Sequence, residues 1–125
     1  MQEFMLRILN MANHQTAWTE EKRQQFLKRC ENYIGELKKN NNLISAQPLV
    51  REGKIISGTA GNWNEESLTI TSEVQTGYYH IRAKDLDEAT EIAKRNPEFE
   101  FSTTARVEVR PIKTKESTTG FVYPK

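Results

Sequence analysis

Two stretches of this chain change period partway along, and their order restricts the fold more than composition does. Residues 2 to 10 alternate, with Phe4, Leu6 and Ile8 opposed by Met5, Arg7 and Leu9, the period of a strand. After a polar loop over 11–18, Thr19 is placed to cap a helix, with Glu20 and Glu21 in its first turn. Phe26, Cys30, Tyr33, Ile34 and Leu37 then recur at helical spacing and predict one buried stripe, ending at the Asn40, Asn41, Asn42 run. TGYYHIRAKDLDEA, residues 76 to 89, repeats the change. Tyr79, Ile81 and Ala83 fall on one side and Tyr78, His80 and Arg82 on the other. Asp85 is then placed to cap and Glu88 to reach back.

Between these units, LISAQPLV reads as a strand with Pro48 at a sheet edge, Arg51-Glu52-Gly53 as a turn, and KIIS as the returning partner of LISAQPLV. TAGNWNEES reads as a loop with Trp63 packed beneath it, and SLTITSEV as an extension of a hairpin. In DLDEATEIAKRN, Leu86, Ala89, Ile92 and Ala93 form the buried stripe, and Pro97 blocks continuation. ARVEVRPI is the last strand. The order predicts an α+β fold, a ferredoxin-like split βαβ plan with both helices on one face of an antiparallel sheet. One domain spans 1–112. Residues 113–125 form a tail whose Phe121, Val122 and Tyr123 are apolar enough to dock on the domain or on a partner subunit.

Lys and Arg total 18 against 17 Asp and Glu, so the near-neutral chain has no global attraction for nucleic acid or an anionic membrane. No apolar run approaches the ~20 residues that cross a bilayer. Cys30 is the only cysteine and has no internal disulfide partner, and MQEFMLRILN lacks the pattern of a secretion signal, which leads to the expectation of a cytoplasmic protein. His14, Cys30 and His80 are too scattered for metal-ligand spacing, and no phosphate loop, nucleophile elbow or dinucleotide fingerprint is present. Neither metal nor cofactor is expected.

LISAQPL, GYYHIRAKDLDEATEIAKRNPEFE and ARVEVRPI resemble the YCII-related family, also described by the name DGPF domain. The resemblance covers nearly the whole chain. Glu65-Glu66-Ser67-Leu68 stands where the family's naming Asp-Gly-Pro-Phe is usual. The resemblance implies a dimeric α+β barrel, in which two ferredoxin-like sheets face one another across a two-fold axis. Some relatives carry a His in the first helix and an Asp before the Pro after the second, a pair proposed to act in catalysis. Cys30 and Asn96 occupy those positions here. Neither restores an acid–base pair. Cys30 is read as a core filler and Asn96 as a helix end.

Strand parity places Phe4, Leu6, Ile8, Tyr79, Ile81, Ala83, Val107 and Val109 under the helices. Met5, Arg7, Leu9, Tyr78, His80, Arg82, Arg106, Glu108, Arg110 and Ile112 then lie on the other face. Large apolar groups among paired charges fit a homodimer interface enclosing a wet cavity. Arg7, Tyr78, His80, Arg82, Arg106 and Arg110 are the candidate contacts for a small anionic molecule, with His80 the one candidate base. The competing expectation is that the arginines form cross-strand and intersubunit ion pairs with Glu108, and that His80 is hydrogen-bonded there. Two function classes follow: a small-ligand-binding or assembly protein without an obvious catalytic dyad, or a cofactor-independent proton-transfer or lyase-type enzyme.

Overall fold

The computed structural model describes residues 1–124, and the two changes of period fall where strands give way to helices. Strand β1 (Gln2–Met11) leads into helix α1 (Glu20–Lys39), which begins where the Thr19 hydroxyl accepts the Lys22 N–H at 3.1 Å. Strand β2 (Leu43–Pro48) follows. Strands β3 (Lys54–Thr59) and β4 (Asn62–Ser67) form a separate hairpin. Strand β5 (Glu73–Ala83) ends at helix α2 (Leu86–Lys94). There the Asp85 carboxylate accepts the Glu88 N–H at 2.9 Å, and Glu88 reaches back to the Lys84 N–H at 3.0 Å. A short helix α3 (Glu98–Phe101) and strand β6 (Arg106–Pro111) complete the domain.

The main sheet has the order β2-β5-β1-β6 with antiparallel neighbours, so the first and third strands of the split βαβ plan are central and the fold is ferredoxin-like α+β. Pro48 lies on the edge strand, where its missing N–H costs no ladder bond. One side of the sheet carries Phe4, Leu6, Ile8, Tyr79, Ile81 and Ala83, packed on Tyr33 and Leu37 of α1 and on Ala89, Ile92 and Ala93 of α2, with Val107 and Val109 at its edge. The Tyr33 hydroxyl donates to the Ile92 carbonyl at 2.7 Å and ties the two helices together. Its ring meets Tyr79 edge-on at 5.3 Å.

Several local expectations are corrected. KIIS pairs with Asn62–Ser67 rather than with LISAQPLV, and the segment read as a loop is strand β4. Polar residues there alternate in no clear period because both faces of this ribbon are exposed, which removes the signal that sequence patterning relies on. Gly58 has φ +104°, and a Cβ there would meet the Asn62 carbonyl oxygen at 2.3 Å, so the narrow end of the ribbon demands glycine. Trp63 sits on β4 with 62% of its surface exposed instead of beneath a loop. Leu86, the first residue of α2, is 48% exposed and stands outside the core, so the buried stripe of α2 begins at Ala89. Of SLTITSEV, Ser67 ends β4 and Glu73 and Val74 begin β5, while the residues between them are not strand.

Beyond β6 the chain turns on itself. Lys115 bridges Val122, Glu116 N–H donates to the Phe121 carbonyl at 2.8 Å, and Tyr123 bonds the Glu116 carboxylate. Phe121, Val122 and Tyr123 are exposed in the single chain. The last tail residue, Lys125, lies outside the described residues.

Candidate functional site

Helix α1 crosses the sheet but does not close against its β2–β5 edge, and a cavity of about 450 Å³ opens between them. This is within the usual range of small-molecule sites. Its walls are apolar, formed by Ile8, Phe26, Leu27, Ile34 and Tyr79, with Gln47, Pro48 and Arg51 along the outer edge. Cys30 lies on the helix wall, and Asn96 and Glu98 on the wall that follows α2.

A bulge brings the sheet's own polar group into this space. Ile8 pairs with Gly77 but Leu9 pairs with Gln75, so Thr76 is an extra residue in β5. Bulges re-aim side chains, and Thr76 lines the cavity at 5% exposure with its hydroxyl unpartnered. At the adjacent Gly77, a Cβ would sit 3.1 Å from the Gln47 carbonyl oxygen, so glycine lets the edge strand close on the bulge.

Asn96 is 2% exposed. Its Oδ1 accepts the Glu98 N–H at 2.8 Å, which fixes the amide's orientation and leaves Nδ2 without an acceptor. Leaving a buried donor or acceptor unpaired costs about 1–3 kcal/mol, so two such atoms bordering one cavity call for a partner that enters from solution. Asn96 closes helix α2 as expected: it follows the cap residue Arg95 and its N–H donates to the Ala93 carbonyl at 3.1 Å, and its side chain then receives the Glu98 N–H at the turn into α3.

Glu98 is buried beside it. Its Oε2 accepts from Asn10 Nδ2 at 3.2 Å, and the same amide donates to Ser102 Oγ at 3.1 Å. His14 Nε2 lies 3.7 Å from Oε2, in a pair whose side chains are only 3% and 10% exposed. His14 Nδ1 is 2.9 Å from the Met11 carbonyl, which can only accept, so Nδ1 carries a proton. An aromatic cluster of Trp18, Phe26 and Phe101 and the 2.7 Å Arg29–Glu100 ion pair hold α3 against the start of α1 and so position Glu98.

Cys30 is half-buried on the cavity wall, which corrects its reading as a core filler. Burial, reinforced by the negative charges of Glu98 and Glu100, pushes its thiol up to about 12. It is therefore a neutral thiol at pH 7 and a poor nucleophile. Tyr79 is likewise held above the ordinary phenol range, by burial first.

The helix-free face carries the sequence-derived candidates in an ion-paired arrangement. Arg7 Nε donates to Gln75 at 3.1 Å and its guanidinium lies 3.6 Å from Glu108. Arg106 holds Glu73 in a two-pronged pair at 2.6 and 2.8 Å, which lowers the Glu73 carboxyl. Arg82 donates to Asn41 at 3.3 Å, the Tyr78 hydroxyl lies 3.4 Å from Ser45 Oγ while Tyr78 also lines the α1 cavity, and Arg110 stands opposite Met5. His80 Nε2 lies 2.8 Å from Glu3 Oε1, so a carboxylate does orient this imidazole.

A family profile for the YCII-related domain matches residues 3–113. The chain belongs to the YCII-related family. No curated protein matches it at a significant level. In this YCII-related chain Cys30 and Asn96 line the same cavity.

Three residues of the candidate sites escaped sequence reasoning. Glu3 shares the parity of Met5 and Arg7, and extending that alternation by one step would have placed it near His80. Glu98 was signalled only weakly, by a carboxylate two residues after an Asn that can accept its N–H. Thr76 carried no signal, because a bulge alters parity without altering composition.

Proposed function

We propose that this YCII-related protein binds a small molecule in the cavity between α1 and the β2–β5 edge, and does so as a homodimer. The observation that carries the reading is the pair of buried, unpartnered atoms, Thr76 Oγ1 and Asn96 Nδ2, on one largely apolar cavity. A neutral thiol and an amide where some relatives carry a His/Asp pair favour binding over acid–base catalysis at this place. The dimer reading is supported by Met5, Tyr78 and Ile112, large half-buried groups set among ion pairs on a sheet face that no helix covers, whereas Leu9 is already buried in the single chain. The exposed Phe121, Val122 and Tyr123 of the tail extend the apolar surface available to a second subunit. A cytoplasmic setting fits the single free cysteine. Among the described residues, no helix is long and apolar enough to cross a membrane.

A thermal-shift screen of a general fragment set tests the cavity. The expected result is a stabilising hit that Asn96→Leu abolishes. A hit unaffected by Asn96→Leu, or none at all, contradicts the proposal.

The 2.8 Å contact of His80 with Glu3 favours a second reading, a cofactor-independent enzyme whose anionic substrate lies between two facing sheets. In that reading His80 is the base and Arg82 or Arg110 neutralises the anion. Small organic acids should then stabilise the wild type and fail to stabilise His80→Ala. Equal stabilisation of both rules it out.

A further inference from the structure

Asn96 and Glu98 present a donor and an acceptor on one wall of the cavity. Asn96 offers an N–H: its Oδ1 already receives the Glu98 N–H, which orients the amide and leaves Nδ2 as the group without a partner. Glu98 offers a carboxylate oxygen: Oε2 is engaged with Asn10, and Oε1 accepts no hydrogen bond among the described residues. Thr76 Oγ1 can donate or accept. A ligand reaching all three needs an acceptor for Asn96 and a donor for Glu98 close together.

Charge narrows the class further. An anionic head would meet the Glu98 carboxylate in a poorly solvated space, where like charges repel strongly. Arg51, which follows β2, gives one N–H to the Leu49 carbonyl at 2.6 Å, and His14 is already turned to the Met11 carbonyl and Glu98. An ammonium head would satisfy Glu98 but present hydrogens to the Asn96 N–H.

We infer that the cavity takes a neutral molecule with a primary carboxamide edge on a flat apolar body. Its C=O accepts from Asn96 Nδ2, its N–H donates to Glu98 Oε1, and its body lies against Phe26, Ile34 and Tyr79. This rests on the reading that the cavity binds a ligand, and adds which one.

The test is calorimetric titration of the full chain at pH 7 with three molecules of one skeleton: 3-phenylpropanamide, 3-phenylpropanoate and 3-phenylpropylamine. The amide is expected to bind at least about tenfold more tightly than either charged analogue, a gap of the size that an unpaired buried polar group produces. Asn96→Leu should lower amide affinity by about tenfold, and Glu98→Gln should narrow the gap between amide and acid. If Glu98→Gln does not fold, as judged by circular dichroism, Asn96→Leu and Thr76→Val carry the test. Tighter binding of acid or amine overturns the class and leaves the cavity reading standing. So does silence from all three when the fragment screen gives a hit that depends on Asn96. Silence in both experiments overturns the class and the cavity reading together.

Discussion

The backbone N–H of Glu98 donates to the Asn96 side-chain oxygen at 2.8 Å, and that bond leaves the same amide's nitrogen with no acceptor at a cavity wall. Local folding thereby leaves a buried donor free for a ligand. Thr76, put in place by a bulge on a different element, brings a second unpartnered group to the same space.

Thr76→Val separates stability from binding. It removes a buried hydroxyl that has no partner and keeps the β-branched shape, so the ligand-free protein should gain about 1 kcal/mol. Chemical denaturation should show the higher midpoint, while stabilisation by any cavity ligand is reduced. Destabilisation of the free protein would mean that the hydroxyl has a partner.

Cys30 should resist alkylation. With its thiol raised to about 12, the thiolate fraction at pH 8 is small, and iodoacetamide should react on the order of a hundredfold or more slowly than with free cysteine. Glu98→Gln should speed the reaction only partly, since burial is the larger cause and the Glu98 charge the smaller. Mass spectrometry of timed samples gives both rates.

The same group sets an alkaline limit. Its folded-state value is raised from 9.0 to about 12, so its contribution to stability is complete below pH 9 and is lost as pH rises through about 12. Tyr33 and Tyr79, also raised by burial, act in the same direction. Denaturation midpoints should fall above pH 9, and less steeply in Cys30→Ala. An equal fall in the two proteins would remove Cys30 from the explanation.

The helix-free face should make the dimer. If the face forms the proposed interface, the wild type should sediment as a dimer and Met5→Glu, on that face, as a folded monomer. A wild-type chain that stays monomeric at high concentration contradicts the homodimer.

Much of the fold was legible because two strands are buried on one side and open on the other, so parity alone sorted Phe4, Leu6, Ile8, Tyr79 and Ile81 from Met5, Arg7 and His80. The caps at Thr19 and Asp85 were legible because capping is local. The β3–β4 ribbon was not, since exposed strands show no hydrophobic period. The site was legible only in part: the helix spacing and the resemblance pointed to Cys30 and Asn96, but their meeting with Thr76 and Glu98 depends on a bulge and on a short helix that composition does not announce.

The most direct measurement is the ¹H–¹⁵N spectrum of the Asn side-chain amides, with the Asn96 pair assigned by its loss in Asn96→Leu, during titration with 3-phenylpropanamide. The Asn96 Nδ2 hydrogens are expected to shift downfield saturably as they gain an acceptor, while signals from the His80 side of the sheet stay in place. An unmoved Asn96 pair at saturation, or shifts confined to the helix-free face, would contradict the central claim that the cavity beneath α1 is where this protein holds its ligand.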